Sequence, residues 1–77
     1  MELNERILEA AIMNELVRDK IPVTVTLISG VEFRGVVARY DLLVVVLAAE
    51  GKQLIIYKHA VASITPQSTL KSAQLKS

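Results

Sequence analysis

Few residues of this 77-residue chain could do chemistry, and the most conspicuous stand together. The single histidine, His59, follows Lys58 within "LIIYKHAVASI", residues 54–64, where two apolar runs meet. An ammonium beside an imidazole can donate hydrogen bonds to carbonyl or phosphate oxygens. It is not a nucleophile with a base and an orienting third group, because the chain has no cysteine and no second histidine. Glu9, Glu15 and Asp41 fall on separate predicted elements, and no group of residues has metal-ligand spacing. A binding protein is therefore expected rather than an enzyme, with no cofactor and no metal. A lone histidine in a turn is more often simply solvated, and from the residues alone that reading is the heavier one.

The length allows one small domain. Such a domain buries only about 60% of its unfolded surface and is marginal without a staple. Disulfides are excluded, so oligomerisation is the expected remedy. A hydrophobic fraction of 52% points the same way, because so short a chain cannot hide so much apolar surface in itself. The longest apolar run, "LLVVVLAA" at 42–49, is strand-length, far short of the roughly 20 residues of a membrane span. The N-terminus "MELNERILEA" lacks the basic and apolar regions of a secretory signal, so a cytoplasmic protein with no membrane partner is expected. A net charge of +1 says little about partners.

The periodicity predicts a helix over 4–19 with Asn4 as N-cap and Glu5 in the first turn. Leu8, Ile12 and Leu16 form a core stripe, with a second stripe of Leu3, Ala10, Met13 and Val17 on roughly the opposite side. Pro22 closes the helix. Strands are predicted over 23–28, 31–40, 42–49, 53–57 and 60–65. Ser29-Gly30, Asp41 and "EGK" at 50–52 mark the turns, and Gly35 marks a bend or bulge. Pro66 stops the last strand, and the tail 67–77 is expected to be disordered. The fold class is mostly β: one N-terminal helix, then a strongly bent five-stranded antiparallel sheet able to close into a small barrel.

At this point the motifs resemble a known family. "VTVTLISGVEFRGVVARYD", residues 23–41, is similar to the first motif of the Sm-like family. "GKQLIIYKHAVASITP", residues 51–66, resembles the second motif in the bacterial Hfq branch, where "YKHA" is the signature. The resemblance implies an Sm-like domain over 1–66 and a homo-oligomeric ring, usually a hexamer. The fourth strand of each subunit would pair with the fifth of the next. It also implies single-stranded RNA, U-rich or A-rich, as partner. On the proximal face it implies Lys58 and His59 around the pore, but Glu9 stands where the family has glutamine, Leu43 where it has a stacking aromatic, and Leu42 where it has a polar residue. On the distal face it implies Thr26 (in place of an aromatic), Gly30, Val31, Glu32 (where the family commonly has a basic or amide residue), Phe33, Arg34, Gln53 and Ser63. On the rim it implies Asn14, Arg18, Arg39 and Tyr40, with Val17 replacing a basic residue and Lys20 partly compensating. Tyr57 is expected to pack at the subunit interface and Asp41 to form a turn.

Two functions follow. The first is an RNA chaperone and post-transcriptional regulator that pairs small RNAs with messages through many weak subsites on a ring. The second is a structural or protein-interaction ring with weakened RNA affinity, docking through Leu42, Leu43 and the helix's second apolar stripe. Salt separates them, because RNA held by Lys58, Arg18 and Arg39 weakens steeply as salt rises and apolar docking does not.

Overall fold

The computed structural model describes the backbone of residues 2–68 and 70, and the side chains of 9–68 and 70. Helix α1 spans Glu2–Arg18. It starts two residues before Asn4, which therefore lies inside the helix and is not its N-cap. Its end is made by the chain's own geometry before Pro22 is reached. Lys20 adopts φ +52°, its N–H donates to Val17 O at 3.4 Å, and the Ile21 N–H donates to Leu16 O at 3.2 Å. This nested pair satisfies two of the helix's orphan carbonyls, with lysine in the left-handed position usually held by glycine. Ile21 and Leu16 are both buried, which adds the apolar contact that accompanies such an ending.

The two apolar stripes are not on opposite sides. Met13 and Leu16 are buried in the core, and Ile12 and Val17 pack partly buried beside them. Residues 12, 13, 16 and 17 share one arc of the helix, and that arc lies on the sheet. Leu3 and Leu8 lie outside the described side chains.

Strands β1 (Pro22–Leu27), β2 (Glu32–Tyr40), β3 (Val44–Ala49) and β4 (Lys52–Tyr57) follow. A 3-10 turn over Lys58–Ala60 leads to β5 (Val61–Pro66). All pairings are antiparallel, in the order β4-β3-β2-β1-β5, so β4 and β5 are the two edges. Val23, Val25, Val37, Val45 and Leu47 are at most 1% exposed and form the centre of the core with Leu16. Glu50 (φ +53°) and Gly51 (φ +79°) make a two-residue hairpin between the paired Ala49 and Lys52, tighter than the three-residue turn expected.

Gly35 is required, but not for a bulge. The β2–β3 register slips between Val37 and Arg39, past Gly35. At Gly35 a Cβ would be driven into the Ala48 carbonyl oxygen, 3.1 Å from its carbon and 3.2 Å from the Ala49 Cβ. The bent sheet brings backbone to backbone there.

Leu42 and Leu43 are not part of a buried strand. They stand 88% and 70% exposed, and β3 begins at Val44. The cause is Asp41, whose Oδ1 accepts the N–H of Leu43 at 2.8 Å and of Val44 at 2.9 Å, turning the chain as expected of it. β1 likewise ends one residue early and leaves Ile28 exposed. Nor does the chain leave the domain at Pro66: Gln67 N–H donates to Pro22 O at 3.0 Å, and Leu70 is buried with the core. The disorder expected from residue 67 is corrected to that extent; 69 and 71–77 lie outside the described residues. Among the described residues no helix is long and apolar enough to cross a membrane.

Candidate functional site

The Lys58 backbone is fixed by its N–H donating to Leu43 O at 2.8 Å, which ties the β4–β5 turn to the Asp41 turn. Its side chain then runs toward α1. The Nζ sits 3.1 Å from Glu9 Oε2 and 5.4 Å from the centroid of the Tyr40 ring. Tyr40 is itself held: its hydroxyl donates to Asn14 Oδ1 at 2.6 Å and lies 3.4 Å from the Ala10 carbonyl oxygen. Glu9, Ala10, Tyr40, Asp41, Leu42 and Lys58 line one open cleft of about 560 Å³.

Three of the five proximal residues thus come together: Lys58, Glu9 and Leu42. Leu43 and His59 do not line the cleft. The imidazole stacks on the Tyr57 ring instead, centroids 5.7 Å apart and planes 25° from parallel. The cleft sets one ammonium against two carboxylates, Glu9 and Asp41, so a single subunit does not present the bare positive patch that the Lys58-His59 pair suggests.

The two backbone amides on Asp41, Val44 first and Leu43 second, hold its carboxyl below the usual range, and Lys58 adds to this. A depressed folded pKa means the charged form supports the fold above the unfolded value and loses that support as pH falls through the folded one. Asp41→Ala should therefore lower the thermal midpoint at neutral pH. The difference from wild type should shrink as pH drops below the ordinary value of 3.8. A gap that stays constant down to strong acid would show that the carboxylate charge does not hold this turn.

The rim residues also gather. Asn14, Val17, Arg18, Arg39 and Tyr40 line a shallow cleft of about 330 Å³. Arg18 grips the adjacent Asp19 through Nε at 2.9 Å and Nη2 at 3.2 Å, so part of its charge is already answered. Arg39 forms no ion pair among the described residues. Tyr40 borders both clefts, a shared role that the sequence did not signal. Lys20 does not line the rim cleft.

A third group lies on β1, β2 and β5. Thr26 stands in register between Glu32 and Ser63, and Thr24 between Arg34 and Thr65, forming two polar rows on the face turned away from Val23 and Val25. Gly30 and Val31 form the exposed hairpin beyond them. Glu32, Phe33 and Arg34 line a cleft of about 420 Å³ with Ala49, Glu50, Lys52 and Leu54. Lys52 was not among the expected contacts; its place follows from the tight Glu50-Gly51 turn. Phe33 is partly spent on packing against the core. Gln53 is exposed opposite Ala48, and Tyr57 and Ile55 are exposed along the β4 edge.

A helix laid on a bent five-stranded antiparallel sheet, with both edge strands open and cationic and aromatic side chains lining its clefts, defines an Sm-like domain. The chain belongs to the Hfq family, matched over residues 8–71 as "Hfq protein". It is similar to the RNA-binding protein Hfq of Moorella thermoacetica, with 48% identity over 59 residues, 77% of this chain and 70% of that one. The RNA-binding protein Hfq of Desulforamulus reducens shares 42% over 59 residues, covering 77% and 74%. Among solved structures, a crystal structure of the pleiotropic translational regulator Hfq superposes with a TM-score of 0.74 at 38% identity, covering 83% of this chain and 96% of that one. An Hfq protein from Anabaena sp. gives a TM-score of 0.66 at 29% identity, covering 71% and 88%.

Proposed function

We propose that the chain is the subunit of a hexameric RNA-binding ring. It would act in the cytoplasm as an RNA chaperone and post-transcriptional regulator, holding single-stranded RNA and promoting pairing of small RNAs with messages. It is read as a binding protein rather than an enzyme, and the relatives named RNA-binding protein Hfq support this. The observation that carries the reading is the pair of unpaired edges, β4 and β5, at opposite ends of one sheet. Open edges invite pairing with another chain, and edge-to-edge closure into a ring removes them. The two edges are joined by the Lys58–Ala60 turn, so closure would repeat Lys58, His59 and Tyr57 around a common axis. Tyr57 and Ile55, exposed on β4, would then be covered by the neighbouring subunit.

Within the ring, Lys58 paired to Glu9 and Leu43 without an aromatic ring disfavour uridine-rich ends. Base stacking on an aromatic is worth roughly 1–3 kcal/mol per base, and a leucine forgoes most of it. Beside the threonine rows, a second cleft sets two cations, Arg34 and Lys52, against Glu32 and Glu50, and no ion pair among the described residues takes either cation, so adenine-rich RNA is the expected ligand. Native mass spectrometry with oligouridine and oligoadenine in competition should show a hexamer retaining oligoadenine. Affinity should fall with salt, log K changing against log salt with a slope of about −0.7 per phosphate neutralised on a single strand. A monomer or dimer would overturn the ring. A ring that retains neither RNA would favour protein docking through Leu42 and Leu43, which stand 88% and 70% exposed on the rigid Asp41 turn.

A further inference from the structure

The Lys58–Glu9 pair joins residues 49 apart in sequence, and its two partners are unequally exposed: the side chain of Lys58 keeps 24% of its accessible surface and that of Glu9 keeps 55%. An anion approaching the cleft therefore meets the carboxylate before the ammonium. Lys58 is further confined by the Tyr40 ring on the cleft wall. Glu9 and Lys58 also border a pocket of about 140 Å³ lined by Met13, Val45, Val61 and Ile64, so apolar side chains lie beneath the ion pair. Glu9 is more than half exposed, so solvent screens the pair; what it supplies is placement, a carboxylate oxygen 3.1 Å from the ammonium where a phosphate oxygen would otherwise sit. Beyond a few ångströms the pair acts as a dipole rather than as a positive charge.

We infer that Glu9 is the specificity-determining residue of the Lys58 cleft: by holding the Lys58 ammonium it closes this cleft to the phosphates of single-stranded RNA and leaves RNA to the other surfaces. The inference rests on the RNA-binding reading above. Glu9→Gln removes the competing carboxylate while keeping the side chain's length and hydrogen-bonding capacity, and frees Lys58 for phosphate. Partly exposed ion pairs add little to stability, so this variant folds.

The test measures binding of labelled oligouridine and oligoadenine to the full chain, as wild type, Glu9→Gln, Lys58→Ala and the double variant, across a salt series. Native mass spectrometry checks that each variant keeps the wild-type assembly. Lys58→Ala in the wild-type background should change oligouridine affinity less than about twofold, because the ammonium is already engaged. Glu9→Gln should tighten oligouridine by about tenfold or more at low salt and steepen the salt slope by about 0.7 for each phosphate gained. Adding Lys58→Ala to Glu9→Gln should abolish that gain, together with any gain of oligoadenine, whose phosphates are the same. Two results would overturn the inference: no gain in Glu9→Gln, or a gain that survives loss of Lys58 and so reflects net charge alone. If wild type binds oligoadenine and Glu9→Gln gains nothing, the gate falls and the RNA reading stands. If no form binds either RNA, both fall.

Discussion

Gly35→Ala should destabilise the fold by upwards of about 3 kcal/mol, the largest loss expected of any single substitution. The added methyl would be forced onto the Ala48 carbonyl, 3.1 Å from its carbon and 3.2 Å from the Ala49 Cβ. Neither neighbour is the far end of a flexible side chain, so relief requires β2 and β3 to separate where they are paired, Val36 opposite Ala48. Overpacking in a tight interior costs about 1–3 kcal/mol when side chains can adjust, and more when backbone must move. Native domains hold only about 5–15 kcal/mol in total, and small ones sit at the low end. Gly30→Ala is the natural contrast: its φ is +96°, but a Cβ there meets nothing within 4 Å. It should lose only about 1–2 kcal/mol, the cost of a left-handed alanine. Urea unfolding followed by circular dichroism compares the two. A Gly35→Ala protein with a wild-type midpoint would mean that β2 and β3 do not approach as described.

Leu16→Ala should be the next largest loss, about 2–5 kcal/mol for a fully buried leucine. Leu16 is 1% exposed and sits where α1 meets the sheet, and its carbonyl accepts the Ile21 N–H that ends the helix. The consequence reaches the candidate site, because α1 carries Glu9, Asn14 and Arg18. Loosening the helix should release Tyr40 from Asn14 and Lys58 from Glu9 together. In urea the midpoint should fall sharply, and amide exchange over 9–18 should rise more than over β1. Equal protection of α1 in both proteins would show that Leu16 is not its anchor.

The Asp41 turn was legible because an aspartate ending an alternating strand has one simple use, to bind the amides that follow. The strands were legible from period-two alternation, and Val23, Val25 and Leu27 do face inward. The "YKHA" signature and the match to the Hfq family over residues 8–71 agree, because a contiguous motif is read without knowing the fold. Other readings failed for physical reasons. Asn4 looked like a cap on composition alone, but helix start depends on where backbone hydrogen bonds begin, here at Glu2. The apolar run 42–49 reads as one strand, yet Asp41 removes its first two residues from it.

Local pattern by itself determined the order of one helix and five strands, the turns and the family, because hydrophobic period, turn residues and a spaced motif are properties of neighbouring positions. Only the tertiary structure decided what the charges do. Lys58 and Glu9 lie 49 residues apart, and Tyr40 and Asn14 lie 26 apart; nothing in the sequence says that they touch. Electrostatic interaction depends on distance in space and on burial, so the sign of a cleft is set when the chain folds. Here folding brings Glu9 of α1 within 3.1 Å of Lys58 in the β4–β5 turn and makes a lysine that reads as a free cation half of an ion pair.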